Sequence, residues 1–294
     1  MKKGLTITLI IILSAVVIGL SGLLYFTITN PNINIFEFSA TFGYSTNLIE
    51  EKEIDDIKDL NISTNIADVK IEEKDIDYIK VEIYSNNEKS HSIIDNSNEI
   101  EISLIEKSKI VGIFNKTGNI KVYVPKDYSK VVKVNSNVGD IKIQNLNNAS
   151  LVATSSVGDI KVQSIKDANI TVKTGDVKIT NVSTLVVKSG TGDIKVENVD
   201  RISSTLTTGD IKIGNVSNSL NLSSKTGDIR VENAYIKKDS KISSGIGDVK
   251  IKSIRGCYIS GNTNIGDTKI NNIDRKSDTV LNISSKVGDI KVNY

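Results

Sequence analysis

Thr174-Gly175-Asp176-Val177-Lys178-Ile179-Thr180-Asn181-Val182 is followed, 17 residues on, by Thr191-Gly192-Asp193-Ile194-Lys195-Val196-Glu197-Asn198-Val199. Each residue type in this unit has a mechanical reason. Glycine supplies the positive φ that a tight corner needs, and Asp is expected to hydrogen-bond the backbone just beyond it. The next three residues alternate apolar, cation, apolar, which puts the β-branched side chains on one face of a strand and the Lys on the other. Asn then marks a second corner, with room for a stacked ladder of amides.

Working outward, Gly-Asp occurs nine times, at Gly139, Gly158, Gly175, Gly192, Gly209, Gly227, Gly247, Gly266 and Gly288, in steps of 17 to 22 residues. The residue before Gly is β-branched every time, from Val138 and Val157 to Ile265 and Val287. Two residues after each Asp stands a cation: Lys142, Lys161, Lys178, Lys195, Lys212, Arg230, Lys250, Lys269 and Lys291. Five residues after Asp comes Asn or Ser in every copy that continues, from Asn145 and Ser164 to Ser253 and Asn272. Gly118-Asn119-Ile120-Lys121 and Ala67-Asp68-Val69-Lys70 are degenerate earlier copies. Units this short cannot bury their own apolar face and must stack. The expected fold is therefore all-β, a parallel β-helix or β-solenoid with 17–22-residue coils. A propeller blade would need about 40 residues, twice what is present. The variable step lengths fall after the second corner, where a surface loop absorbs them.

Before the repeats, no charged side chain occurs from Gly4 to Phe36, and Leu5 to Thr27 is almost wholly apolar. That length suits a helix crossing a hydrocarbon core of about 30 Å. Lys2 and Lys3 precede it, so the positive-inside bias keeps the N-terminus in the cytoplasm. The expected organisation is a cytoplasmic tail (1–4), a transmembrane helix (5–27), a juxtamembrane linker (28–49) and an extracellular solenoid (50–294), with regular repeats over 117–294. A cleaved signal peptide is the rival, but the apolar run is longer than an h-region and no A-x-A-like site follows. Phe36, Phe38, Phe42 and Tyr44 crowd behind the span, either at the membrane interface or as the first cap of the solenoid.

Chemistry has few footholds. A net charge of +2 and the absence of a clustered basic domain argue against nucleic-acid binding. The Asp and cation positions form two adjacent stripes, in which like charges at about 4.8 Å repel by about 0.9 kcal/mol per pair in water and the opposite stripe offsets this. The plain reading is a charge-compensated surface that keeps the rod soluble. The sharper one is that the cation stripe binds an anionic wall polymer or lipid headgroups by multivalency. Calcium fits poorly, because each Asp has a cation beside it and a hard cation wants six to eight oxygens. His91 lies in a polar stretch and reads as a surface-loop residue, Cys257 as a buried small residue without a disulfide partner. No catalytic constellation and no cofactor motif is visible. The chain stops at Tyr294 within its last coil, which leaves an edge open to a partner.

The opening segment Leu60-Asn61-Ile62-Ser63-Thr64 through Ala67-Asp68-Val69-Lys70-Ile71, the apolar N-terminal run and the reiterated Gly-Asp-Ile-Lys-Val units resemble a bacterial family of adhesin-like β-strand-repeat domains of unknown function, LiaG-like membrane-anchored proteins among them. The resemblance covers most of the chain after Ile54 and implies a cell-envelope location, without enzyme chemistry or functional residues to carry over. The sequence thus leads to a membrane-anchored, surface-displayed interaction module without catalytic activity. A self-assembling rod with end-to-end contacts is the alternative, and a β-helix carbohydrate-active enzyme a more distant one. The expected partners are the membrane, an anionic wall polymer or another envelope protein.

Overall fold

Val177 and Ile179 point inward and are fully buried while Lys178 between them is exposed, and the same alternation recurs in rung after rung. The computed structural model describes residues 47–85, 91–105, 118–271 and 277–293, which belong to a unit running from Thr46 to Tyr294. Helical structure is absent from these residues, and none offers a helix long and apolar enough to cross a membrane. The expected tail, span and aromatic cluster lie outside them. So does all but the end of the expected linker, whose last residues, from Asn47, already form a strand.

Among the described residues there are twenty-one strands. The first seven are β1 (Asn47–Ile54), β2 (Asp59–Ile66), β3 (Asp68–Lys74), β4 (Ile79–Ser85), β5 (His91–Asp95), β6 (Glu99–Leu104) and β7 (Gly118–Pro125). The regular coils follow as β8 (Val131–Val138), β9 (Ile141–Gln144), β10 (Leu146–Val157), β11 (Ile160–Thr174), β12 (Val177–Thr191), β13 (Ile194–Thr208) and β14 (Ile211–Thr226). The last are β15 (Ile229–Tyr235), β16 (Ser240–Ile246), β17 (Val249–Arg255), β18 (Tyr258–Ile265), β19 (Thr268–Ile270), β20 (Val280–Val287) and β21 (Ile290–Val292).

Parallel pairing stacks them into a β-solenoid with one continuous apolar core. On the flank before the Gly-Asp corner the neighbours run β6, β2, β8, β10, β11, β12, β13, β14, β16, β20, β18. On the flank after it they run β7, β3, β9, β11, β12, β13, β14, β15, β17, β21, β19. Length differences are absorbed after the second corner as expected, with register shifts between Leu146 and Ser150 and between Val199 and Arg201.

The spatial order departs from chain order at both ends. The rung of β2 and β3 sits between the β6–β7 rung and the β8–β9 rung. At the other end, β20 and β21 are inserted between β16–β17 and β18–β19, so Val292 is paired with Ile251 on one side and Ile270 on the other. The expectation that the C-terminal coil forms the open edge is therefore overturned. The terminal rung is β18–β19. The reason lies in the side chains: β20 and β21 bring Leu281, Ile283, Ile290 and Val292 to the core, whereas the same register positions of β18 and β19 hold Ile259, Gly261, Thr268 and Ile270. The more apolar rung gains more from burial on both sides.

The N-terminal end is closed by reversal of direction. β4 pairs antiparallel with β7, β1 with β4, and β5 with β6. Tyr128, buried in the loop before β8, donates its hydroxyl to the carbonyl of Lys58 at 2.7 Å and ties that loop to the start of β2. Burial pushes its phenol pKa up.

Candidate binding faces

The corner that sets the charge stripes uses its two residues differently from a simple turn. Each corner Gly has positive φ, +142° at Gly175, and a Cβ there would lie 2.1 Å from the carbonyl oxygen of Gly158 in the rung beneath. Glycine is required by stacking as well as by backbone conformation. Where the sequence suggested a bond to the backbone just beyond it, the Asp Oδ1 accepts from the next rung. Asp140 N–H donates to Asp68 Oδ1, and the pattern continues through Asp159, Asp176, Asp193, Asp210, Asp228, Asp248, Asp289 and Asp267, at 2.7 to 3.0 Å. The N–H groups on either side of it reach backbone carbonyls of the adjoining rung, as Gly175 does Thr191 and Val177 does Asp193. Asp N–H alone is left over at the corner, and the carboxylate supplies its acceptor.

Lys positions are thereby stacked in register. In spatial order the row reads Lys121, Lys70, Lys142, Lys161, Lys178, Lys195, Lys212, Arg230, Lys250, Lys291 and Lys269. All nine cations proposed from the sequence fall in it. Lys70 and Lys121 extend it to eleven, and they stand at the matching place of the degenerate copies. At a strand spacing of about 4.8 Å the row is roughly 50 Å long. It stops at the N-terminal cap, where Lys121 lies over the Tyr84 ring, 4.3 Å from its centroid.

The neighbouring Asp row neutralises only part of it. Lys161 pairs with Asp159 at 3.3 Å, Arg230 with Asp228 at 2.8 Å, and Lys212 with Asp210 and Asp193 at 3.2 and 3.4 Å. Lys70 pairs with Glu72 at 2.6 Å. Lys142, Lys178, Lys195, Lys250, Lys269 and Lys291 have no ion pair to a described residue. Burial pushes the Asp210 carboxyl up, but the Asp228 N–H and the Lys212 ammonium outweigh it and hold the group below the usual range. The hydrogen bond that Lys212 donates to Asp210 in turn raises the Lys212 pKa, against the burial that lowers it.

The row beyond the cations varies. Beside Lys142, Lys161 and Lys178 it holds Gln144, Gln163 and Thr180, and the six line a shallow groove of about 240 Å³ with no carboxylate on that side. Further along, Glu232 stands beside Arg230 and pairs with Lys252 at 3.0 Å. At the second corner the expected amide ladder forms: Asn198, Asn215 and Asn233 each donate through Nδ2 to the preceding Asn Oδ1 at 2.8 to 3.0 Å, and Asn181 donates to Ser164 Oγ at 3.2 Å. A groove of about 400 Å³ runs alongside. Asn272 lies outside the described residues.

The remaining singled-out residues have structural places. His91 opens β5 rather than lying in a loop, with Nε2 3.1 Å from Glu50 Oε2. Cys257 is buried, as expected. Among the described residues no three His, Cys, Asp or Glu side chains are grouped to hold a metal ion.

Among solved structures, a "putative adhesin" of Bacteroides fragilis is 16% identical, with 83% of this chain and 96% of that one aligned and a TM-score of 0.41. A "putative lipid binding protein" of Parabacteroides distasonis is 17% identical over 83% and 96%, with a TM-score of 0.46. A "putative cell adhesion protein" of Clostridium sporogenes is 15% identical over 83% and 98%, with a TM-score of 0.24. Likeness at this level transfers neither a ligand nor an activity. None of the curated proteins matches the chain. The family model of the Toastrack DUF4097 domain matches it twice, over 57–199 and 182–294. The two matches span the solenoid, and the chain belongs to the Toastrack DUF4097 family.

Proposed function

We propose that this protein is a non-catalytic binding module of the bacterial cell surface, held at the membrane by residues 5–27, whose eleven-cation row takes up an anionic polymer of the cell envelope. One observation carries the reading: eleven successive rungs place a cation at the same register position, although the fold needs only that this position be polar. By contrast, the Asp row is explained by the backbone N–H groups it accepts. Lysines on the flank before the corner provide a comparison within the molecule. Lys133 has Asn61 and Val152 as register neighbours, and Lys188 has Thr171 and Thr205, so those cations are scattered. A row of evenly spaced cations suits a flexible polyanion, which gains avidity by engaging several weak contacts at once. The likeness of the described rungs to one another supports recognition over turnover.

The test is binding of the full chain to a phosphate-bearing polymer and to a neutral polysaccharide of similar length, across salt concentrations. The expected result is salt-sensitive binding to the first alone, reduced progressively as Lys142, Lys178 and Lys195 are changed to Gln. Equal binding by wild type and the triple variant rejects the proposal.

A further inference from the structure

Independently of what the cation row binds, we infer that the outer edge of β18 pairs with the same strand of a second copy, giving a closed head-to-head dimer. β18 has a strand partner, β20, on one side only, and no described strand pairs with its other edge. Native edges are ordinarily protected by charge, Lys above all. From Tyr258 to Gly266 there is no charged residue. The strands stacked behind it carry one at each step, Lys286 in β20, Lys241 in β16 and Lys225 in β14.

A second observation points to the same end. The residue before the corner Gly is Thr through the middle of the stack, but Ile246, Val287 and Ile265 in the last three rungs, mutual register neighbours with exposures of 57, 39 and 66%. This apolar stripe runs out to the edge and stops there. Ile270 folds over Gly261 on the inner side, since a Cβ on Gly261 would come 2.6 Å from its Cδ1. Beside that stripe the terminal rung therefore presents backbone groups and small polar side chains, not a cut apolar core.

A second copy is the occupant that this edge fits. An uncharged strand can lie antiparallel on itself across a twofold axis without bringing like charges together. At the far end of the stack both outer edges are guarded by charge: β1 carries Glu50, Glu51, Lys52 and Glu53, and β5 ends on Asp95, paired with Lys58 at 2.7 Å, with its Ile93 carbonyl accepting from Lys52 Nζ at 3.4 Å. Pairing thus closes at two copies and makes no filament, which distinguishes it from a rod assembled end to end.

The experiment uses the full chain in mild non-ionic detergent. Its mass is measured by light scattering over a wide concentration range, and Asn264→Cys carries a spin label for distance measurement. The expected result is a concentration-dependent dimer with label separations under about 20 Å, as two paired edge strands require. Asn262→Lys with Asn264→Lys, at exposed positions, is expected to give a monomer with unchanged circular dichroism. A monomer at all concentrations, a dimer that survives the double Lys variant, or labels brought together at Glu50→Cys would each overturn the inference.

Discussion

The backbone N–H of Asp193 donates to Oδ1 of Asp176 at 2.7 Å, one rung away. That bond, repeated along the corner, couples each rung to the next through a side chain. Asp193 itself accepts from Asp210 N–H at 2.9 Å. Replacing it by Ala leaves that N–H without an acceptor, and a loss of about 1–3 kcal/mol is expected. Asp193→Asn retains an acceptor oxygen and should lose much less. Urea denaturation of the three proteins measures the difference. Equal losses for Ala and Asn would mean that the charge, not the acceptor, matters.

Gly175→Ala puts a Cβ at 2.1 Å from the Gly158 carbonyl oxygen in a backbone region closed to Ala. The expected loss exceeds about 3 kcal/mol, because strain and overpacking act together. Gly190→Ala is a graded control: its Cβ would meet the Lys173 carbonyl oxygen at 2.4 Å without positive φ. Denaturation midpoints are expected to fall in the order wild type, Gly190→Ala, Gly175→Ala.

Removing residues 277–294 takes out an inner rung, since β20 and β21 lie between two others. Hydrogen exchange is expected to show β18 and β19 fully unprotected in the truncated protein while β11 to β13 keep their protection. At concentrations where the protein is monomeric, β18 protection equal to that of the intact chain would contradict its dependence on β20.

Acid should act at the N-terminal cap. Burial tends to raise Glu82, but the hydroxyl of Tyr84 and the Lys80 ammonium hold it below its ordinary value; Glu72 is lowered likewise by Lys70 and Lys74 against its burial. A carboxyl depressed in the folded state contributes stability above its unfolded pKa, about 4.3, and loses it as pH falls through the folded value. Thermal stability is expected to decline below about pH 4, and Glu82→Gln to shrink that decline. The same carboxylate helps push the Tyr123 phenol, already raised by burial, up to about 12.

Much of this was legible in the sequence, for a physical reason. A corner whose Gly stacks on the next corner's carbonyl tolerates almost no variation, so the Gly-Asp units announce both the fold and the register of Lys142 to Lys291. Stacking order was not legible, because step length says nothing about which rungs are neighbours. The only hint was composition: Gly261 and Thr268 stand where inner rungs carry Ile. The direction of the Asp bonds was hidden for a related reason, since a side chain that bonds its own turn and one that bonds the next rung leave the same motif. Lys70 and Lys121 joined the row only once β3 and β7 were seen side by side.

The cation row is tested most directly by lysine acetylation rates in the presence and absence of a phosphate-bearing polymer, read residue by residue by mass spectrometry. Protection is expected at Lys142, Lys178, Lys195 and Lys250, with Lys133, Lys173, Lys188 and Lys225 on the opposite flank reacting at unchanged rates. Equal protection of both sets, or protection of the second alone, would contradict polymer binding along the row.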